Sequence, residues 1–279
     1  MKKLFESLGV ITLICLSFLY TEKTVEVVKE YDEIMIEIKK QNKNFKVNAI
    51  DAIIDNNTII PGLKGKKINE DKSYSKMKRY GKFNSNLLEY EDILPTISIK
   101  NNLDKYVISG NSNKKMVSLV FLVDSESDIN SIIKVLNNKK IKANFFIDAT
   151  WLEKNEKLLL ELIRSGHNVG NLNIENTTGN YAWTDNMIKK ISNKNNGYCY
   201  SEKENEKLLK ICSNTNNYTI KPTIVSGNYP LKKIKENIKA GSIISLKINS
   251  TTIKELSLII NYINSKGYEI SNLNDLLEE

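Results

Sequence analysis

The sequence of 279 residues contains 41 lysines and arginines against 33 aspartates and glutamates, which gives a formal charge of +8. With 41% hydrophobic residues it can fill a core, so disorder of the whole chain is excluded. The three cysteines form no C-x-x-C pair, which excludes a structural zinc module and a disulfide-dense miniprotein. The one histidine, His167, excludes any site that needs two imidazoles from this chain.

The positive charge predicts no nucleic-acid partner. Only Arg79 and Arg164 are arginines, whereas sequence-specific readers of nucleic acid depend on bidentate arginine contacts. The lysines are spread among Asn, Asp and Glu, which is typical of a solvated surface. Attraction to an anionic envelope surface is compatible with the same charge.

The N-terminus has the pattern of an export signal. Two lysines precede a mostly apolar stretch from Leu8 to Tyr20, and no small-x-small cleavage site follows it. We predict an uncleaved signal anchor over residues 1–21, inserted in the cell membrane through residues 4–20, with the bulk of the chain outside. The alternatives are a cleaved signal peptide, which would make the protein secreted, and a buried helix of a cytosolic protein.

Residues 22–45 and 46–112 are predicted to form a stalk and a small β-rich domain. In the first segment apolar residues recur among many charges, which is typical of a helical or extended stalk. In the second, two β-branched runs around an Asp-Asn-Asn turn at 55–57 predict a hairpin. A further strand is predicted at Thr96–Ile99, and the polar loop around Gly110 predicts a domain boundary.

From residue 115 to 279 the pattern alternates between strands and helices. Val117–Val123 and Ala143–Ile147 are apolar runs typical of buried strands, and the helical stretches Asp128–Asn137 and Trp151–Ser165 follow them. This alternation predicts an α/β fold in which helices cover a parallel sheet, either open or closed as a barrel.

Five segments of this part have the order and spacing of a known family. They are VSLVFLV, IKANFFID, IRSGHNVGN, KAGSIISLKIN and SKGYEISNLNDLL. From residue 116 to 279 the sequence resembles the polysaccharide deacetylase (NodB-homology) family. The resemblance implies a deformed (β/α) barrel, here preceded by the membrane anchor and a small β-rich α+β domain.

The resemblance also implies a chemistry, the metal-dependent hydrolysis of a non-peptide C–N amide bond in an acetamido group. Members of the family hold a divalent metal such as zinc with one aspartate and two histidines. A second aspartate acts as the base and a further histidine as the acid. This sequence departs from the family at each of these positions.

The family's first motif, Thr-Phe-Asp-Asp-Gly, falls on the segment from Val120 to Asp124. Leu122 and Val123 replace the base and the metal-binding aspartate, so both carboxylates are missing. Asp124 lies one residue after Val123, the position of the metal-binding aspartate. A step of one residue along a strand is expected to turn a side chain to the opposite face of the sheet.

The remaining motifs also lack the family's functional residues. His167 matches a family histidine that is not a ligand, whereas the two ligand positions are Leu172 and Asn176. Leucine cannot bind a metal, and an amide oxygen is a poor zinc ligand. The arginine that orients the base falls on Cys199, and the histidine acid falls on Lys247. We therefore expect no catalytic residues, no bound metal and no other cofactor.

Several residues near these motifs are candidates for ligand binding. They are Asp124, His167, Asn171, Asn173, Glu175, Tyr200 and Lys247. As an alternative, solvated loops, helix caps and a histidine bonded to nearby backbone explain them without a ligand. Cys199 and Cys212 either form a disulfide outside the membrane or remain free buried thiols.

These observations predict a membrane-anchored, extracytoplasmic polysaccharide-deacetylase-like protein that is inactive. It would bind or scaffold cell-wall glycan or an envelope protein. One alternative is an active metal-dependent deacetylase of an amino-sugar polymer, such as peptidoglycan or a chitin-like glycan, with non-standard ligands. Another is a structural protein of the envelope or of spore assembly, since a fold by itself does not define a function.

Overall fold

The computed structural model describes residues 11–12, 16–17, 23–24, 26–172, 178–193 and 197–279. The chain divides into two compact units, one formed by residues 1–49 and 64–94 and the other by residues 50–63 and 95–279. Among the described residues, no helix has both the length and the apolar character needed to cross a membrane. The predicted signal anchor over residues 1–21 lies mostly outside the described residues and stays a prediction, as do the predicted domain boundaries.

The helices and strands are numbered here in chain order. From Glu33 onward, the α-helices in the described part of the chain are α1 (Glu33–Phe45), α2 (Glu70–Lys78), α3 (Ile129–Lys139), α4 (Ala149–Leu152), α5 (Glu156–Arg164), α6 (Thr178–Ser192), α7 (Glu206–Asn214), α8 (Pro230–Asn237), α9 (Ser250–Ser265) and α10 (Leu273–Leu277). The strands there are β1 (Ile53–Asp55), β2 (Thr58–Ile60), β3 (Gly65–Ile68), β4 (Tyr90–Ile93), β5 (Tyr106–Val107), β6 (Met116–Val123), β7 (Asn144–Ile147), β8 (Asn168–Asn171), β9 (Tyr198–Tyr200), β10 (Tyr218–Ile220), β11 (Ile224–Val225), β12 (Ile243–Lys247) and β13 (Glu269–Ser271).

The smaller unit packs α1 and α2 with the antiparallel pair formed by β3 and β4. Ile34 and Ile38 lie four residues apart on α1, which places both on one face of the helix. They are buried together with Ile68 of β3 and Met77 of α2. The segment predicted as a stalk therefore contributes a helix to a compact core.

The larger unit is built on an 11-stranded mixed sheet. In the described residues its strands follow the order β1-β2-β5-β10-β9-β8-β7-β6-β12-β11, and β13 pairs with the first residues of β6. The pairs from β2 to β11 are parallel, whereas β1 and β2 are antiparallel. Parallel neighbours require crossover connections, which the helices supply.

The residues of β6 alternate between two apolar layers. Leu119, Phe121 and Val123 belong to the core between the sheet and its helices. Val120 and Leu122 belong to a second cluster on the opposite face. Since successive side chains of a strand point to opposite faces, this alternation determines which residues after β6 can reach the inner side of the sheet.

The predicted hairpin is present, with Asn56 in the left-handed conformation at its turn (φ 50°). It belongs to the larger unit because β2 pairs with β5 in the large sheet. The predicted strand at Thr96–Ile99 is wrong. The backbone N–H of Ile97 donates to the carboxylate of Asp51 at 3.1 Å, and Ile99 begins a short 3-10 helix. A side chain that binds the backbone in this way replaces a strand partner.

The predicted long helix Trp151–Ser165 is divided into α4 and α5. The side-chain amide of Asn155 donates to the carbonyl of Trp151 at 2.8 Å, and the carbonyl of Asn155 accepts the N–H of Leu159 at 3.0 Å. Asparagine competes for backbone hydrogen bonds, which favours helix ends over helix interiors.

Candidate functional site

A cavity of about 590 Å³ opens at the carboxyl ends of the central parallel strands. The described residues that line it are Leu122, Asp124, Leu172, residues 200–205, Leu208 and residues 247–249. Apart from Leu208 on α7, they lie at or directly after the carboxyl ends of β6, β8, β9 and β12. Loops after the strands of such sheets carry function in α/β proteins, so this cavity is the candidate site.

Four of the lining residues have hydrocarbon side chains, namely Leu122, Leu172, Leu208 and Ile248. Leu172 is 8% exposed, and Leu122 is half-buried. Leu122 and Leu172 are the positions where the family would have its base and a metal-binding histidine. The structure therefore brings these two replacements together in one cavity.

Val123 lies apart from this cavity. Its side chain is fully buried in the core between the sheet and the helices. Leu122 and Val123 were both matched to functional positions of the family, but strand alternation turns them to opposite faces. In this chain only Leu122 faces the cavity.

Asp124 lies in the cavity, on the same side of the sheet as Leu122. Val123 and Asp124 lie on opposite faces, as the one-residue step predicts, but Asp124 is the one that lines the cavity, because it is two residues from Leu122 and side chains two residues apart share a face. Its carboxylate accepts hydrogen bonds from the hydroxyl of Ser127 at 2.8 Å and from the N–H of Glu126 at 3.2 Å. It is exposed and shapes the turn that follows β6.

Lys247 ends β12 at the edge of the cavity and is exposed. In the parallel pairing of β12 with β6 its partner is Leu122. Within the described residues its side chain makes no ion pair or hydrogen bond, so its ammonium group is available to a ligand. An ammonium group at this position supplies three hydrogen-bond donors and a positive charge.

Tyr200 contributes the aromatic surface of the cavity. Its hydroxyl shares a hydrogen bond of 2.9 Å with the hydroxyl of Ser245, and its ring lies 5.6 Å from that of Phe146. Burial raises the pKa of Tyr200 to about 12, against a smaller lowering by the Ser245 hydrogen bond. The phenol therefore stays neutral at physiological pH.

Residues 201–205 form the charged wall of the cavity, which the sequence analysis did not identify. Glu202, Lys203 and Glu204 lie there, and the carboxylate of Glu204 pairs with Lys221 at 2.7 Å. Their position directly after the strand β9 is the signal that predicts such a role.

The structure does not place His167 at the cavity. It precedes β8 at the amino end of the sheet, is 4% exposed and packs edge-on against Phe145 at 5.2 Å. Its Nδ1 accepts the N–H of Ala143 at 3.2 Å, and its Nε2 has no partner among the described residues. Burial, with a smaller effect of Lys142, lowers the pKa of His167 to about 4.

Two other candidates are also fully buried. The side-chain amide of Asn171 donates to the carbonyl of Tyr181 at 3.0 Å. Cys199, at the family's arginine position, is joined to Cys212 by a disulfide, and the hydroxyl of Tyr181 lies 3.2 Å from its sulfur. The remaining candidates lie outside the described residues. They are Asn173, Glu175 and Asn176.

The residues described at this site do not fit the divalent metal that the resemblance implies. Leu122 and Leu172 have no donor atom, Val123 points into the core, and Asp124 is a single carboxylate engaged in its own turn. No group of three or more potential ligands (His, Cys, Asp or Glu) occurs anywhere in the part of the chain that the structure describes. A tetrahedral zinc site needs three protein ligands of this kind.

Comparison with known families identifies the domain. The family described as Polysaccharide deacetylase matches residues 109–219. This part of the chain belongs to the polysaccharide deacetylase family. The family predicted from the five sequence segments is thereby confirmed.

The chain is similar to one curated protein and to solved structures of a CE4 family pseudoenzyme. It is 23% identical over 277 residues to the uncharacterized protein YlxY of Bacillus subtilis (strain 168), with 92% of this chain and 87% of that protein covered. The wild-type CE4 family pseudoenzyme BA3943 of Bacillus anthracis has a TM-score of 0.69 and 24% identity, over 89% of this chain and 96% of that chain. A BA3943 mutant with restored enzymatic activity has a TM-score of 0.68 and 23% identity, over 89% and 99% of the two chains.

These similarities define the fold of the deacetylase-like protein. It is mixed α/β, with a curled half-barrel sheet of the CE4 deacetylase type and a small two-stranded sheet. The predicted barrel is therefore confirmed only in this coarser form.

Proposed function

We propose that this polysaccharide-deacetylase-like protein is catalytically inactive and binds an amino-sugar polymer of the cell wall in the cavity at the carboxyl ends of its strands. The observation that carries the proposal is that Leu122 and Leu172, which replace the family's base and one metal-binding histidine, both line that cavity.

Inactivity follows from the chemistry of amide hydrolysis. Water must be activated by a base or a metal, and the leaving amine must receive a proton. Hydrocarbon side chains at 122 and 172 can do neither. The described residues retain one exposed carboxylate there, Asp124, which lacks the additional ligands that a metal-activated water requires.

Binding is supported by what the same cavity offers. Leu172 and the ring of Tyr200 provide apolar surface for the face of a sugar and for an acetyl methyl group. The ammonium of Lys247 and the carboxylate of Glu202 provide donors and acceptors for hydroxyl, amide and carboxylate groups. An envelope protein is the alternative occupant.

The proposal places the protein outside the cytoplasmic membrane, held by the anchor at residues 1–21 or released if that signal is cleaved. The buried disulfide between Cys199 and Cys212 supports this location, because structural disulfides persist in oxidising compartments.

The test uses residues 26–279 incubated with N-acetylated chitin oligosaccharides and with peptidoglycan, with and without zinc or cobalt. We expect no acetate release and retention of the protein on purified cell wall. Lys247→Ala is expected to weaken retention, and Lys254→Ala, which changes an exposed lysine on α9, is the matched control. Retention that is equal in both variants would exclude the cavity as the binding site, and no retention of the parent protein would point to a protein partner.

One observation favours the alternative of an active deacetylase, namely the carboxylate of Asp124 inside the cavity. In that case acetate release would depend on added metal and would be abolished by Asp124→Asn. This result would overturn the proposed inactivity.

A further inference from the structure

The charged wall of the cavity, residues 201–205, has no regular secondary structure of its own. It connects the end of β9 to the start of α7. The conformation of such a segment depends on contacts that it makes with the rest of the protein.

One contact comes from Tyr106, which is 1% exposed on the short strand β5. The backbone N–H of Asn205 donates a hydrogen bond of 2.6 Å to the hydroxyl oxygen of Tyr106. Asn205 is also the N-cap of α7, since its side-chain oxygen accepts the N–H of Leu208 at 3.1 Å. The Tyr106 hydroxyl thus holds the residue at which the wall ends and the helix begins.

A second contact fixes the neighbouring residue from the same side. The ammonium of Lys221 lies 2.7 Å from the carboxylate of Glu204 and 5.6 Å from the centre of the Tyr106 ring. The backbone N–H of Lys221 donates to the carbonyl of Val107 on β5 at 2.9 Å. Two consecutive wall residues are therefore tied to β5, one directly and one through Lys221.

We propose that Tyr106 is a positioning residue, whose hydroxyl holds the 201–205 wall in the conformation that shapes the cavity. β5 lies on the N-terminal side of the five family segments, and its two residues pair with β2 and β10. This part of the chain acts on the site through Asn205 and does not itself line the cavity. The consequence for ligand affinity rests on the proposed function.

The variant Tyr106→Phe tests the proposal, because it removes the hydroxyl and keeps the ring beneath Lys221. Hydrogen–deuterium exchange is expected to become about tenfold faster in peptides covering 201–208, with unchanged exchange in β6 and β7. The dissociation constant for an N-acetylated chitin pentasaccharide is expected to rise about fivefold, because fewer molecules hold the wall in place.

Tyr262→Phe is the matched control, since the Tyr262 hydroxyl makes a hydrogen bond of 3.4 Å with the carbonyl of Lys235, and neither residue lines the cavity. Unchanged exchange at 201–208 in Tyr106→Phe would overturn the proposal. A uniform rise over the whole sheet would also overturn it, because the hydroxyl would then serve only general stability.

A second variant keeps the test decisive if Tyr106→Phe does not fold. Glu204→Gln removes the ion pair with Lys221 without changing β5, and it is expected to accelerate exchange over the same 201–208 peptides. If neither the parent protein nor the variants bind the pentasaccharide, the proposed function fails, while the exchange measurement still decides the role of Tyr106.

Discussion

Leu122 and Lys247 are partners in the parallel pairing of β6 with β12, at the carboxyl edge of the sheet. A hydrocarbon side chain and an ammonium group thus lie side by side where the family would have a carboxylate base and an imidazole acid. This pair offers a hydrogen-bond donor beside an apolar side chain, but it cannot transfer a proton in the way that a carboxylate–imidazole pair does.

The opposite directions of Leu122 and Val123 lead to a stability prediction. Val123→Asp is expected to reduce the free energy of unfolding by about 4 kcal/mol or to prevent folding, because it buries an unpaired carboxylate among apolar side chains. Leu122→Asp, at the half-buried neighbour that faces the cavity, is expected to cost about 1 kcal/mol. Urea denaturation measures both variants, and equal losses would contradict the assigned directions.

The environment of His167 predicts that stability falls in acid. Burial lowers its pKa in the folded protein to about 4 from an ordinary value of 6.5, so the unfolded chain takes up a proton that the folded protein excludes. The contribution of this group to stability is complete above about pH 6.5 and is lost as the pH falls towards 4, by about 3 kcal/mol. Protonation also removes the lone pair that accepts the Ala143 N–H.

Urea denaturation between pH 4 and 7 measures this dependence, and His167→Gln is the control that lacks the titrating group. Since His167 is the only histidine, its imidazole signal in a nuclear magnetic resonance titration belongs to one residue. A midpoint near 6.5 in the folded protein would contradict the prediction.

The disulfide between Cys199 and Cys212 is expected to stabilise the larger unit. It closes a loop with a sequence separation of 13, and a crosslink over about 15 residues contributes roughly 3 kcal/mol by restricting the unfolded chain. The double variant Cys199→Ala/Cys212→Ala is expected to lose about this amount in thermal or urea denaturation. Reductant should destabilise the parent protein and leave the double variant unchanged.

Glu279 is expected to stabilise the segments that precede β5. Its buried carboxylate accepts the N–H groups of Gly62 at 2.9 Å and of Ile99 at 3.1 Å, and it also accepts the hydroxyl of Ser98. Glu279→Ala leaves these buried donors without an acceptor and is expected to cost about 2 kcal/mol. Glu278→Ala, at the exposed neighbouring side chain, is the control for urea denaturation and is expected to be near neutral.

Much of the larger unit could be predicted from local patterns. The apolar runs at 117–123 and 143–147 predict β6 and β7 to within one residue, because a buried strand needs continuous apolar side chains. The motif spacing predicts the family. It also matches Leu122, Leu172 and Lys247 to functional positions of that family, and in the structure all three line one cavity.

The remaining features could not be predicted because they depend on which face a side chain takes and on distant partners. Asp124 reaches the cavity and Val123 does not, since the pairing of β6 sets the direction of each side chain. The wall at 201–205 has no periodic pattern, and its position depends on Tyr106, almost 100 residues away.

The sequence by itself determined which functional groups of the family are absent from their usual positions. A chain with one histidine cannot supply the metal-binding pair and the acid, whatever its fold. Only the tertiary structure decided what stands in their place. Because the parallel strands end at a common edge, residues separated by more than 100 positions meet there in a cavity of hydrocarbon, phenol and ammonium groups, and the single histidine is buried at the amino end of the sheet.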